Sequence, residues 1–373
     1  MPTPPPPVSS LAIPRSPSAL PALGAALRLV AMIAGATCAF AADDPLPQTD
    51  NAEPPFMGVY DGPPGGGITA TDEYAHWLNR TCVWGHGSNN WDDWKNIDRA
   101  GFLYKPWGIW VTAAPGRRVV FSISLFPNGC SLEQGAAGAY DEHYVALAKL
   151  LVAHRLEKSI LRLAWEFNGS WYPWKVLTAQ DAGNFIATWH HAVDAIRSVP
   201  GAESLTFCLN GCAESTSYPL EAAYPGDGYV DYVGTDIYDV SWAKGAYPYP
   251  PNATEEERIV IQKRAWDGWI YPAKPKNGVV AWQALATAHH KPFVIPEWGL
   301  ETKNGHGGYD NPWFIERMHR LIYDRTNPVY FASYWNAKES RVVPTGGHAS
   351  AYPKSTEMFQ KLFALPATSS TNP

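Results

Sequence analysis

Two glutamates sit at places where a carboxyl could do chemistry. Glu166 closes an apolar run in Leu161-Arg162-Leu163-Ala164-Trp165-Glu166-Phe167-Asn168-Gly169-Ser170-Trp171-Tyr172-Pro173-Trp174, which then opens into an aromatic loop. Glu297 closes Lys291-Pro292-Phe293-Val294-Ile295-Pro296-Glu297-Trp298-Gly299, again β-rich and again followed by Trp and Gly. Side chains alternate along a strand, so Arg162, Ala164 and Glu166 are expected on one face. Removing a carboxyl from water disfavours its charged form, raises its pKa and suits it to general-acid work. Two carboxyl groups flanking one bond are what glycoside hydrolysis needs. One protonates the leaving oxygen and the other attacks or activates water. A bland reading stands beside each: an ion pair between Glu166 and Arg162, and a surface carboxylate at a strand end for Glu297.

Something must hold these residues on one rim. Short apolar runs recur at Phe56–Tyr60, Thr81–Trp84, Arg118–Leu125, Ile160–Trp165, Leu205–Leu209, Val230–Ile237, Pro292–Ile295 and Val329–Tyr334. Between them, Tyr144–His154, Ala179–Val199, Val280–His290 and Trp313–Asp324 read as helices. Strands alternating with helices predict an α/β fold, a single-domain (β/α)8 TIM barrel. Its chemistry gathers at the carboxyl ends of the strands, and the two glutamates close the fourth and seventh.

Composition narrows the classes. Hydrophobic residues make up 46% of 373 and charged ones 17%, which is enough to build a core and excludes a disordered chain. A net charge of −6 argues against nucleic-acid binding. All 17 tryptophans fall between Trp77 and Trp335, which suggests a core with a ring-stacking cleft. Arg15 and Arg28 are the only charges before Asp43, and the apolar run Leu29–Ala41 ends in Ala39-Phe40-Ala41. That is the pattern of a secretory signal cleaved after Ala41. The expected organisation is therefore signal peptide 1–41, linker 42–55, catalytic barrel 56–365 and a disordered tail 366–373, in a secreted or periplasmic protein. Cys82, Cys130, Cys208 and Cys212 remain after cleavage. In an exported chain they allow two disulfides, for which Cys208–Cys212 and Cys82–Cys130 are the expected pairs, or four buried thiols. Their spacing suggests no zinc site.

The two glutamates with their surroundings resemble the clan A glycoside hydrolases, and most closely glycoside hydrolase family 26, mostly β-mannanases. Arg162, Glu166, Gly169, Trp171 and Trp174 match that family's fourth-strand motif. Gly58–Gly62 resembles its first strand, and Asp231, Gly234, Asp236 and Tyr238 its sixth. Ser333-Tyr334-Trp335-Asn336 resembles its eighth. The likeness runs over roughly 55–340. It implies a retaining enzyme with Glu166 as acid/base and Glu297 as nucleophile. It further implies that Tyr238 hydrogen-bonds Glu297, Trp335 stacks under the sugar at the cleavage site, Trp171 holds the next sugar, and Arg162 orients a carboxylate. One departure is Trp165, where the family has His. A β-linked polysaccharide other than mannan is then open, among them β-glucan, xylan or an exopolysaccharide. A non-catalytic, polysaccharide-binding barrel is the rival from another class.

Trp174, Trp298, Asn168, Asp236 and His86 complete the candidate sugar contacts, His86 being equally readable as a satisfied loop residue. Trp84, Trp91, Trp94, Trp107 and Trp110 are either distal sugar platforms or loop packing. Asp239 is a candidate for sugar hydroxyls or a structural cation. The implied partner is a polysaccharide or oligosaccharide. A monomer is expected, with no cofactor, no catalytic metal, and no membrane association once the signal is removed.

Overall fold

Eight parallel strands close on themselves in chain order, β1 lying between β2 and β8. They are β1 (Phe56–Tyr60), β2 (Trp84–Ser88), β3 (Val119–Ile123), β4 (Ile160–Leu163), β5 (Thr206–Cys212), β6 (Tyr232–Tyr238), β7 (Phe293–Gly299) and β8 (Val329–Trp335). The structure is a computed structural model describing residues 53–62, 67–80, 84–213, 218–272, 278–302, 305–337 and 340–366. The expected signal peptide, most of the linker, residues 81–83 with Cys82, and the tail beyond 366 lie outside the described residues. Among those residues, the helices are α1 (Gly67–Trp77), α2 (Gly101–Ala113), α3 (Leu132–Ala136), α4 (Asp141–Ala153), α5 (Ala179–Arg197), α6 (Glu255–Ala265), α7 (Gly278–Ala288), α8 (Pro312–Ile322) and α9 (Pro353–Phe363). This is the (β/α)8 barrel that the alternation of elements predicts.

Local chemistry explains the helices that the periodicity found. Thr178 and Asp181 form a reciprocal capping box at the start of α5. Phe185, Trp189, Ala192, Val193 and Ile196 then make one buried face. Asn311 caps α8, whose first residue is Pro312, where a missing N–H costs nothing. α6 was invisible to an apolar-stripe search because few of its residues are buried. It is specified instead by the Thr254–Glu257 capping box, acids in its first turn and Lys263 and Arg264 in its last.

The barrel interior changes character along its axis. At the amino ends, Trp84, Val120, Ile160, Cys208, Val294 and Phe331 form an apolar plug with Phe56 and Tyr232 packed against it, so every strand contributes. Two residues further along β2, β3, β4, β5 and β8 lie His86, Ser122, Arg162, Asn210 and Ser333, all buried. The polar layer thus sits on a dry floor.

Outside the strands, Trp107 and Trp110 of α2 are buried and belong to the helix–barrel interface, which removes them as sugar platforms. A Cβ at Gly85 would lie 2.2 Å from the Trp107 ring. The glycine is what lets the indole lie against β2. Gly85→Ala is therefore expected to lower stability by about 1–3 kcal/mol through overpacking. The urea midpoint checks this, and an unchanged midpoint would refute the tight fit.

Candidate active site

β4 ends at Leu163, so strand alternation does not aim Glu166. Ala164 and Glu166 instead adopt left-handed backbone, with φ of 47° and 53°. That conformation costs a non-glycine residue about 1 kcal/mol or more. Neighbouring strand ends hold it: the Ala164 N–H donates to the Ile123 carbonyl at 3.0 Å and the Glu166 N–H to the Asn210 carbonyl at 3.1 Å. The result is a split. Trp165 turns into the protein and is 4% exposed, while Glu166 stays half-buried. Trp165 packs edge-on against Trp91, Tyr172 and Trp174. The exposed Trp171 donates its Nε1–H to Glu166 Oε2 at 3.0 Å.

Glu297 reaches the interior by a different irregularity. Between Val294 and Trp298, β7 advances four residues while β6 advances three, from Gly234 to Ile237. This bulge reverses the alternation. Glu297 points inward with Asp236, and Trp298 points outward onto Phe359 and Phe363 of α9.

Beneath both glutamates lies Arg162, fully buried. Its Nε donates to Asn210 Oδ1 at 2.6 Å, and one terminal nitrogen to Ser122 Oγ at 2.7 Å and Glu297 Oε1 at 2.5 Å. The other terminal nitrogen pairs with Asp236 Oδ2. Burial works against the guanidinium charge, but Asp236 and Glu297 outweigh it and hold the group protonated. Burial pushes the Asp236 carboxyl well up against the pull of Arg162. Burial, then the neighbouring Arg162, pushes His86 well below its ordinary value, leaving a neutral imidazole. His86 bridges Ser122 at 2.7 Å and Ser333 at 3.3 Å. Tyr238 donates to Glu297 Oε2 at 2.7 Å, so both oxygens of that carboxylate are engaged.

The rim above is aromatic. Tyr60 and Trp335 stack face to face at 3.8 Å, with His86 at the edge of both rings. Burial and then the charge of Glu297 push the Tyr60 phenol up to about 12. Burial, then Glu166 and Glu297, push up that of Tyr172, whose ring stacks on Trp174. Sequence reasoning missed Tyr60 and Tyr172; only their places beside Gly58 and within the fourth-strand loop could have drawn attention to them.

The structure brings Glu166, Glu297, Tyr238, Arg162, Asp236, His86, Trp171 and Trp335 together. Several of these do not fit as sugar contacts. Arg162, Asp236 and His86 are buried and committed to each other and to Glu297. Asn168 is buried with its side chain paired to the backbone of Cys212, at 2.8 and 2.9 Å. Gly211 makes room for it, since a Cβ there would meet Asn168 Oδ1 at 2.3 Å. Trp174 is sealed in the aromatic cluster and donates to the Trp165 carbonyl at 2.9 Å. Trp298 is fully buried against α9. Asp239 is also buried, accepting from Tyr247 at 2.6 Å and Asn311 at 2.7 Å, so it pins a loop.

The expected Cys208–Cys212 bridge is absent: both are free thiols. They lie four residues apart on β5, about 13 Å at the rise of a strand, beyond the roughly 7 Å limit for a disulfide. Cys130 is free as well. Among the described residues, no group of three or more His, Cys, Asp or Glu could hold a metal ion.

The sequence model for glycosyl hydrolase family 26 matches residues 147–250, a stretch that includes Arg162, Glu166, Asp236 and Tyr238. Over 119 residues the chain is 33% identical to Endoglucanase H of Acetivibrio thermocellus, covering 30% of this chain and 12% of that protein. Over 112 residues it is 30% identical to Mannan endo-1,4-beta-mannosidase of Bifidobacterium adolescentis, covering 28% and 11%. The matched stretch thus spans about an eighth or less of the length of these curated relatives. Among solved structures, the fold is similar to that of Bacillus subtilis mannanase BCman, with a TM-score of 0.55 at 15% identity over 86% of this chain and 89% of that one.

Two outcomes follow from the buried charges. Arg162→Met leaves two inward carboxylates without their cation and is expected to cost about 3–5 kcal/mol, read by urea unfolding; a loss under 1 kcal/mol would refute the role. Burial, against its two donors, pushes Asp239 up to about 7 from an ordinary value of 3.8. The folded protein then keeps a proton that the unfolded chain has released. This contribution favours folding fully below about pH 4 and is lost as pH rises through 7. Asp239→Asn abolishes it, so the variant's melting temperature relative to the parent should climb between pH 5 and pH 8. A flat difference would contradict the assignment.

Proposed function

We propose that this chain, which belongs to glycosyl hydrolase family 26, is an O-glycosyl hydrolase that cleaves a β-linked, mannan-like polysaccharide with retention of configuration. In this reading Glu297 is the nucleophile and Glu166 the acid/base. The observation that carries it is the arrangement of both glutamates around Arg162 at the carboxyl end of the barrel, each brought there by irregular backbone.

The chemistry follows from the contacts. Glu297 is fixed by Arg162 on one oxygen and Tyr238 on the other, and each oxygen keeps a further lone pair for attack. It attacks the anomeric carbon as Glu166 gives its proton to the leaving oxygen, forming a covalent glycosyl-enzyme. Glu166, now a carboxylate, takes a proton from water. That water displaces Glu297 and frees the sugar. Trp171 orients Glu166 through its indole N–H and offers its exposed ring to the leaving-side sugar. Trp335, backed by Tyr60, floors the cleavage site.

Trp165 is buried and cannot serve the sugar's 2-hydroxyl as a polar residue would. The names of the relatives include both a mannosidase and an endoglucanase, so the backbone sugar is best sought among mannan, glucomannan and β-glucan. The reading extends to export: Leu29–Ala41 acts as a secretory signal, cleaved after Ala41.

The test is sugar release from a panel of β-glycans by the mature protein, Glu166→Gln and Glu297→Gln, with the anomer of the first product read by proton NMR. One glycan should be cut with retention, and each variant should lose about 10²-fold or more in kcat. Activity that survives Glu297→Gln, or an inverted product, would overturn the mechanism.

A further inference from the structure

The opposite end of the barrel holds a cavity that this chemistry does not use. It measures about 650 Å³, within the range of small-molecule sites. Its walls come from the amino ends of the first four strands: Phe56 at the start of β1, Trp84 at the start of β2, the turn from α2 into β3, and the turn from α4 into β4.

Its charge runs against that of the molecule. The chain carries a net charge of −6, yet Arg117, Arg118, Arg155 and Lys158 all line this cavity, with Glu157 the one acid among them. Arg117 is spoken for by Asp72 at 3.0 Å. Arg118 lies over the Trp84 ring. Among the described residues, the side chains of Arg118, Arg155 and Lys158 make no ion pair and no hydrogen bond to protein. Three unpaired cations against the single carboxylate of Glu157 leave the concavity net positive, which draws an anion.

Glu157 adds a second requirement. Its half-buried carboxylate stands on the same wall and can only accept hydrogen bonds. A ligand that covers this carboxylate must offer it a donor in place of water. A simple inorganic anion meets the cations but brings few or no donors for Glu157 and no ring face for the apolar wall. A ligand with both an anionic group and hydroxyl donors satisfies the cations and Glu157 together. The half-buried Phe56 ring and Leu156 supply an apolar wall of the kind that pyranose C–H faces pack against.

We propose that this cavity is a second, non-catalytic carbohydrate site that takes an acidic sugar, a uronate unit of a polysaccharide. Its carboxylate lies against Arg118, Arg155 and Lys158, and a ring hydroxyl donates to Glu157. The site stands a strand's length from Glu166 and Glu297, so its occupancy and the cleavage reaction can be measured apart.

The probe is trigalacturonate, titrated by calorimetry into the mature protein at low and high salt, beside neutral galactotriose and inorganic phosphate. Saturable binding of the uronate is expected, weakening with salt and exceeding that of both controls. Arg155→Ser/Lys158→Ser, at two exposed positions, should weaken it about tenfold to hundredfold. Its melting temperature and neutral-glycan hydrolysis should match the parent's. Glu157→Gln should weaken the uronate more than phosphate. The proposal is overturned if trigalacturonate does not saturate, if galactotriose or phosphate binds as well, or if the double variant binds normally. Loss of hydrolysis in the parent would bear on the catalytic reading alone.

Discussion

The site rests on one buried cation. Taking a guanidinium out of water is costly by several kcal/mol even after relaxation, and Arg162 is fully buried above an apolar plug. The penalty is offset only because every direction of the guanidinium fork meets an acceptor: Asn210, Ser122, Glu297 and Asp236. That requirement accounts for residues with no reactive role. Asp236 balances charge, Ser122 and His86 carry the hydrogen bonds across to β8, and Asn210 fills the Nε side. Remove the arginine and the polar layer has no reason to exist at that depth. Keep it, and Glu297 is held by a group that cannot lose its proton.

A regular strand would not have delivered either glutamate. At β4 the chain leaves the sheet after Leu163, and two left-handed residues send Trp165 into the wall and Glu166 to the rim. At β7 one extra residue shifts the alternation, so that Glu297 faces Arg162 and Trp298 faces α9. Both distortions cost free energy, and the surroundings over-determine them. Trp165 locks into Trp91, Tyr172 and Trp174, and Trp298 into Phe359 and Phe363. Trp91, Trp165, Trp174 and Trp298 thus anchor irregular backbone, while Trp171 and Trp335 lie on the aromatic rim beside the glutamates.

This division explains what could be read in advance. The barrel was legible because it depends on the alternation of strands and helices, which survives errors of a few residues at each end. β1 was found at its true limits, and β8 to within a residue. The two glutamates were legible because they close strands before aromatic loops. What failed depended on knowing which way a side chain faces. Alternation predicted the right destination for Glu166 by the wrong route, and proximity in sequence grouped Asn168, Trp174 and Trp298 with residues they turn their backs on. Cys208 and Cys212 looked close in sequence and are held apart by the strand between them. Tyr60 carried no signal, since its importance comes from β8 crossing beside it.

The two ends of the barrel obey opposite electrostatic rules. At the carboxyl end a single buried cation is paired with Asp236 and Glu297, and irregular backbone delivers the two glutamates. At the amino end Arg118, Arg155 and Lys158 gather around Glu157, on the turns that lead into β3 and β4. Self-compensation satisfies the first, because Arg162 finds its partners within the chain. Among the described residues the second is not self-compensated, and a charge left unmatched on an acidic protein is stabilised when something from outside completes it. The apolar plug of Trp84, Val120, Ile160, Cys208, Val294 and Phe331 lies between them. One fold therefore holds a closed charge network at one end and an open one at the other.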